Sequence, residues 1–153
     1  MRIAVTSREQ AQSFNQFGKV FCVISIHTPG GTPNEFEKNF YRKEILRLCF
    51  DDFSDPRLDN LLRQNDSRIR LIRRKDAQAI LDFVNFHTNY SSISDFLIHC
   101  DAGISRSPGV AVALNEIYNN DKEIPFAWRR YNSFVYRVIM DEYYRRMEKE
   151  NGK

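Results

Sequence analysis

The sequence is poor in cysteine and has no long apolar run. Its 153 residues include three cysteines, an odd and sparse set, and this argues against a small secreted domain held together by disulfides. Residues 1–6 lack the extended apolar segment of a signal peptide. No apolar run approaches the roughly 18 residues that a membrane-spanning helix needs. From these absences we expect a cytoplasmic protein that does not enter a membrane.

A strong charge of one sign and metal-ligand spacing are also missing. The formal net charge is +3, which suits anionic substrates but falls short of the strongly basic surface of a dedicated nucleic-acid-binding domain. The three cysteines and three histidines form no C-x2-C or H-x3-H pair of the kind that binds zinc. We therefore expect no nucleic-acid partner, no metal and no other cofactor, with a monomer as the default oligomeric state.

Short apolar runs alternate with helix-like segments along the chain. The β-branched and aromatic run at residues 19–26 ends at a Pro-Gly-Gly turn and predicts a buried strand. The same criteria predict strands at 44–50 and 95–99, an edge strand at 3–5, and helices at 7–17, 76–88, 107–118 and 133–149. Such alternation is typical of a mainly parallel sheet covered by helices on both faces. We expect a single α/β domain over residues 1–150 and a short polar tail at 151–153.

Three loops leave the carboxyl ends of the predicted strands, at residues 28–34, 51–57 and 100–106. Sites in open α/β sheets lie beyond the carboxyl ends of the strands. We therefore expect these three loops to meet around one cleft, although they are far apart in the sequence.

In the third loop, five residues separate Cys100 from Arg106. A tight turn over residues 101–106 can direct several backbone N–H groups inward as an anion nest. A helix that begins near Ser105 adds the positive end of its dipole, and the planar guanidinium of Arg106 can bind two oxygens of one phosphoryl group. The same positive potential favours the thiolate form of Cys100, which predicts nucleophilic attack on phosphorus.

The residues around this pair fit a phosphate-binding loop. Gly103 permits the positive φ angle that a small nest needs, Ser107 can donate a hydrogen bond to the thiolate, and His99 is expected to support the loop rather than act as a base. The residues expected to surround the phosphate are Asp101, Ala102, Gly103, Ile104, Ser105 and Arg106. The alternative is a purely structural cysteine buried at a strand end, which is common. This alternative does not account for the neighbouring residues His99, Gly103 and Ser107.

The segment His-Cys-Asp-Ala-Gly-Ile-Ser-Arg-Ser, residues 99–107, resembles the HC-x5-R-[ST] signature of the cysteine-dependent protein tyrosine phosphatases. The resemblance covers most of the chain in order and is greatest to the small dual-specificity branch. It implies the fold of that family, a mainly parallel sheet flanked by helices. It also implies hydrolysis of phosphotyrosine, and of phosphoserine or phosphothreonine, in proteins through a phosphocysteine intermediate and without a cofactor.

The resemblance also implies a general acid that protonates the leaving group. In the family this residue lies on a separate loop, just after a strand upstream of the cysteine. The step from Phe50 to Asp52 resembles the acid loop of the phosphatases of regenerating liver and of several small dual-specificity enzymes, in which the second aspartate is the acid. We therefore expect Asp52 to be the general acid and base, with Asp51 as the second choice and Asp55 as the third. The alternative is an ordinary acidic turn or helix cap before a proline.

Departures from the family narrow its implications. The chain has no Lys-Asn-Arg-Tyr loop and no Trp-Pro-Asp loop, which argues against the larger tyrosine-specific enzymes. Asp101 stands where phosphoinositide phosphatases of the family carry lysine, and an aspartate would repel a multiply charged head group. Two alternatives stay open: a phosphatase for a small-molecule or nucleic-acid phosphate ester, and a non-catalytic, phosphate-binding pseudophosphatase.

Three further residues have two interpretations each. Cys22 or Cys49 can form a reversible disulfide with an oxidised Cys100, but both lie on apolar runs, where inert core cysteines are favoured. Asn132 precedes the last predicted helix, and it can either steady the site or cap that helix.

Overall fold

The computed structural model describes residues 1–53 and 69–152. Within these residues, strands and helices alternate along the chain. The elements are β1 (Arg2–Thr6), α1 (Arg8–Gln12), β2 (Phe21–His27), β3 (Arg42–Cys49), α2 (Arg74–Tyr90), β4 (Asp95–His99), α3 (Arg106–Asn119), a 3-10 turn (Phe126–Trp128) and α4 (Ser133–Asn151). In this described part, no helix is both long enough and apolar enough to cross a membrane.

The strands form one parallel sheet in the order β1-β4-β2-β3. β4 is buried throughout and β2 is buried except at its last residue, because these two strands lie at the centre of the sheet. β1 lies at one edge, as predicted for residues 3–5, and β3 lies at the other. The predicted single-domain α/β class with a mainly parallel sheet is therefore confirmed.

Helices cover both faces of the sheet, and the side chains of β2 alternate between them. Cys22, Ile24 and Ile26 pack against α2, α3 and α4 in the larger apolar cluster. Phe21 and Val23 point to the opposite face, where they pack against α1 and the aromatic residues that follow it. Both faces of β2 are thus apolar, as expected of a central strand in a parallel sheet.

The predicted helix at residues 7–17 is wrong in its length, because α1 ends at Gln12. Its start is as predicted, since Ser7 caps the helix in a reciprocal arrangement with Gln10. Beyond this point the backbone binds another segment: the carbonyl of Gln12 accepts from the Glu37 N–H at 3.0 Å, and that of Phe14 accepts from the Asn39 amide at 2.9 Å. These tertiary hydrogen bonds replace the bonds that would continue the helix.

The other helices lie close to their predicted positions. Ala77, Ile80, Leu81 and Val84 are buried along one face of α2, as the spacing predicts. At the other end of the chain, α4 continues to Asn151, which moves the start of the predicted polar tail by one residue.

Candidate active site

Cys100 directly follows β4 and is almost fully buried. Its Sγ lies 3.1 Å from the hydroxyl of Ser107 and accepts a hydrogen bond from the backbone N–H of Gly103 at 3.3 Å. The following loop therefore curls around the sulfur, and α3 begins at Arg106 on its far side.

Gly103 has φ +74°, and it touches the end of β1. A Cβ on this residue would lie 2.6 Å from the carbonyl carbon and oxygen of Thr6 and 2.8 Å from the nitrogen of Ser7. All three atoms belong to the backbone, so a small side-chain rotation cannot relieve the contact. The loop thus requires glycine here for two reasons, its left-handed conformation and its close approach to β1.

We expect Gly103→Ala to lower the free energy of unfolding by more than the roughly 1–3 kcal/mol that a strained backbone conformation alone costs. Gly18→Ala is the matched control, because Gly18 has φ +70° but no atom lies within 4 Å of its Cβ position. Denaturant unfolding of both variants measures the difference. Equal losses would show that the approach of the loop to β1 is not tight.

Arg106 is buried, and residues from three loops surround its guanidinium. Its Nη1 donates to the carbonyl of Phe50 at 2.8 Å and to the hydroxyl of Thr28 at 2.9 Å. Its Nη2 donates to the carboxylate of Asp101 at 2.9 Å. Nε is buried without a hydrogen-bond partner among the described residues. The guanidinium therefore has a fixed position, and its Nε–H and the second N–H of Nη2 have no acceptor among the described residues.

Asp52 and Asp51 have different surroundings. The Oδ1 of Asp52 accepts from the Ser105 hydroxyl at 2.6 Å and from the Asn132 amide at 2.9 Å. Ser105 belongs to the loop at residues 100–106, which we call the cysteine loop, and Asn132 adjoins that loop. Asp51 instead pairs with Arg70: its carboxylate accepts from the Arg70 N–H at 2.7 Å, and its own N–H donates to the Arg70 carbonyl at 2.6 Å. The geometry thus brings Asp52 to the loop. Asp55, the third choice, lies outside the described residues.

Asn132 has both of the roles between which the sequence left the choice open. Its Oδ1 accepts from the Val135 N–H at 3.0 Å and so caps α4. Its Nδ2 donates to Asp52, as above, and to the carbonyl of Phe53 at 3.1 Å. Its backbone N–H donates to the carbonyl of Ser105 at 2.9 Å. The start of α4 therefore links the loop that carries Asp52 and Phe53, which we call the aspartate loop, to the cysteine loop.

His99 is fully buried behind the loop, and burial lowers its pKa to about 4. The ring is therefore neutral near neutral pH. Its Nδ1 lies 3.1 Å from the carbonyl of Cys100 and must carry the proton, because a carbonyl can only accept; Nε2 then accepts from the Ser25 hydroxyl at 2.6 Å. These contacts tie the start of the loop to β2 and agree with a supporting role.

Two contacts at the site are not predicted from the sequence, although both residues lie in the predicted loops. Thr28 is the first residue after β2, and its hydroxyl contacts both Arg106 and Asp101. The side chain of Asp101 turns back onto Arg106 within its own loop. Their position at a strand end was the available signal, but a contact between loops cannot be deduced from spacing. Ala102 and Ile104 are exposed.

The three predicted loops meet at the carboxyl edge of the sheet as far as they are described. Thr28 of the first loop touches Arg106, and Asp52 of the second touches Ser105. Residues 54–57 of the second loop lie outside the described residues. Among the described residues, no group of three or more His, Cys, Asp or Glu side chains is placed to hold a metal ion.

Of the remaining cysteines, Cys22 is buried and Cys49 is half-buried. Both are free thiols. Burial raises the pKa of Cys22 to about 11 and raises the pKa of Cys49 above its ordinary value. Neither thiol is activated, which favours the interpretation as core cysteines. A redox link of either residue to Cys100 stays a prediction.

Comparison with known proteins identifies the type of fold. The structure is similar to the crystal structure of a human tyrosine phosphatase-like serine/threonine/tyrosine-interacting protein, with a TM-score of 0.59 over 92% of this chain and 91% of that chain, at 16% sequence identity. No protein-family model matches the chain, and no curated protein matches it. The likeness shows an α/β fold of the dual-specificity phosphatase type.

Proposed function

We propose that the protein is a cysteine-dependent phosphomonoester hydrolase of the protein tyrosine or dual-specificity type. The observation that carries the proposal is that the loop of Cys100 and Arg106 meets the loop of Asp52 at one edge of the sheet, where hydrogen bonds hold all three side chains. A nucleophile, a cation for the phosphoryl oxygens and a proton donor are the three parts that phosphoryl transfer through a covalent intermediate needs.

Substrate binding relies on donors that already stand around the sulfur. A buried N–H without a partner is costly, and a phosphoryl oxygen would satisfy the Nε of Arg106. The N-terminus of α3, which begins at Arg106, adds positive potential on the same side. Because these groups are fixed before the substrate arrives, little reorganisation opposes the build-up of charge in the transition state.

In the first step the Sγ of Cys100 attacks phosphorus in line with the leaving oxygen. The S–P bond forms as the P–O bond to the alcohol or phenol breaks, and Asp52 donates its proton to the leaving oxygen. Arg106 stabilises the charge on the equatorial oxygens. The products are a phosphocysteine, the free alcohol or phenol, and an ionised Asp52.

In the second step water hydrolyses the phosphocysteine. Asp52 removes a proton from the attacking water, the P–O bond to that water forms, and the S–P bond breaks. The hydroxyl of Ser107, 3.1 Å from Sγ, stabilises the departing thiolate by a hydrogen bond. Inorganic phosphate leaves, and both Cys100 and Asp52 return to their starting forms.

Phosphorylated protein side chains are the proposed substrate class, on the strength of the dual-specificity type of fold and the open loop surface at Ile104. A phosphate ester of a small molecule or of a nucleic acid is the alternative substrate. The second candidate function is a phosphate-binding module without turnover. It is favoured by the similar human protein, whose name describes it as phosphatase-like and interacting, and the hydrogen-bonded Asp52 argues against it because binding alone needs no acid.

Hydrolysis of an aryl phosphate in EDTA at about pH 6 tests the proposal. We expect turnover that survives chelation, competitive inhibition by inorganic phosphate, and inactivation by iodoacetate that phosphate prevents. A folded protein that binds phosphate but never turns over would contradict the hydrolase and leave the binding module. Phosphotyrosine and phosphoserine peptides, compared by kcat/KM, then define the substrate class.

A further inference from the structure

Asp101 makes a contact that the mechanism does not use. Its Oδ2 accepts from the Nη2 of Arg106 at 2.9 Å and from the hydroxyl of Thr28 at 2.7 Å. Partial burial opposes ionisation of this carboxyl, but the hydrogen bonds from Thr28 and Arg106 outweigh it and lower the pKa of Asp101 below its ordinary value. The carboxylate is therefore charged near neutral pH and occupies one arm of the phosphate-binding guanidinium.

The two partners differ in their freedom to move. The side chain of Asp101 is 46% exposed, whereas that of Arg106 is only 6% exposed. Arg106 is also held at Nη1 by Phe50 and Thr28. If the ion pair opens, Asp101 can therefore turn into solvent without burying a charge, while the guanidinium stays in place.

An incoming phosphoryl group needs the Nη2 donor of Arg106, to which Asp101 is hydrogen-bonded. A guanidinium binds a phosphate most strongly through two parallel N–H···O bonds. On the edge of Arg106 formed by Nε and Nη2, Nε has no partner among the described residues, whereas Nη2 already donates to Asp101. A carboxylate that remained on Nη2 would also lie beside the phosphoryl oxygens and repel them. A phosphoryl group that binds this edge through both nitrogens therefore competes with Asp101 for Nη2.

We propose that Asp101 is a specificity-determining residue that competes with the phosphoryl group for Arg106. It lowers the affinity of the site for phosphate, and it selects most strongly against ligands that carry a second anion beside the phosphoryl group. This inference rests on the proposed function, since it assumes that Arg106 binds the phosphoryl group.

The test is the affinity for inorganic phosphate, measured by isothermal titration calorimetry on the full chain at neutral pH. Asp101→Asn removes the charge but keeps the size and an oxygen that can accept from Thr28 or Arg106. We expect this variant to bind phosphate about tenfold more tightly, because an opposing charge in contact with the binding cation is gone. Asp141→Asn is the matched control: it removes one negative charge from an exposed position of α4 and should leave the affinity unchanged.

Other results would overturn the inference in distinguishable ways. Unchanged affinity in Asp101→Asn would show that the carboxylate does not compete, and weaker binding would show that Asp101 instead orients Arg106; in both cases the proposed function stands. Absence of phosphate binding in every variant would overturn the inference and the proposed function together.

A second ligand tests the charge selectivity. Inorganic pyrophosphate carries an additional anion next to the bound group, so Asp101→Asn should improve its affinity by a larger factor than that of phosphate. Equal factors for the two ligands would contradict selection against a second anion and leave only the competition for Arg106.

Discussion

Cys100→Ser is expected to abolish hydrolysis of an aryl phosphate, with a loss in kcat of roughly 10⁴-fold or more, as is found when a covalent nucleophile is removed. A serine hydroxyl is a far weaker nucleophile than the cysteine sulfur, which lies beside the hydroxyl of Ser107 and the N–H of Gly103. The variant should still bind inorganic phosphate, because Arg106 does not depend on the sulfur for its position. Steady-state kinetics and phosphate titration measure the two effects separately.

Cys49→Ser is the matched control for this prediction. Cys49 is a half-buried, free cysteine at the end of β3, and it makes the same chemical change possible outside the cysteine loop. We expect its kcat to stay within a few-fold of the wild type, in line with a modest packing change. A Cys100→Ser variant that retains turnover, or a Cys49→Ser variant that loses it, would remove Cys100 from the role of nucleophile.

Asp52→Asn is expected to lower kcat by about 10² to 10⁴, the range that a positioned general acid contributes. Asparagine keeps an oxygen that can accept from Ser105 and Asn132, so the aspartate loop should keep its position while the proton is lost. The loss should be greatest for substrates with basic leaving groups and should shrink for nitrophenyl esters, whose leaving oxygen needs little protonation. A series of aryl phosphates measures this dependence.

Asp51→Asn separates the two aspartates. Asp51 pairs with the backbone of Arg70, so its amide variant should affect the stability of that pairing more than the leaving-group dependence of kcat. If Asp51→Asn instead abolishes protonation of the leaving group, the acid is Asp51. If neither variant changes the leaving-group dependence, neither of these aspartates is the acid, and Asp55 is the third choice.

Most of the fold can be predicted from the sequence, because burial on both faces of a central strand leaves a clear apolar pattern. Residues 95–99 form β4 within the predicted bounds, and the predicted strand at 19–26 corresponds to Phe21–His27. The predicted parallel sheet then puts the loop ends at one edge. The end of helix α1 cannot be predicted in this way. The carbonyls of Gln12, its last residue, and of Phe14 accept hydrogen bonds from residues 37–39, and the local sequence pattern does not indicate a partner so far along the chain.

The site likewise has a part that can be predicted from the sequence and a part that cannot. Cys100, Gly103 and Arg106 are fixed by spacing within one loop, so the sequence alone suffices to single them out. The choice of Asp52 over Asp51 rested on resemblance, and only the contacts across loops distinguish their surroundings. The link from Asn132 to the aspartate loop, like the ion pair of Asp101, depends on side-chain directions that a one-dimensional pattern does not contain.

The central claim is that phosphorus becomes bonded to Cys100 during turnover. The most direct measurement is the intact mass of Asp52→Asn protein, quenched in acid during reaction with a nitrophenyl phosphate, followed by peptide mapping. Nitrophenolate leaves without protonation, so the variant can still form the phosphocysteine. The attack of water, however, lacks the base that Asp52 supplies in the wild type. We therefore predict that one phosphoryl group accumulates on Cys100. Turnover with no phosphorylated protein, or with the phosphoryl group on another residue, would contradict the account.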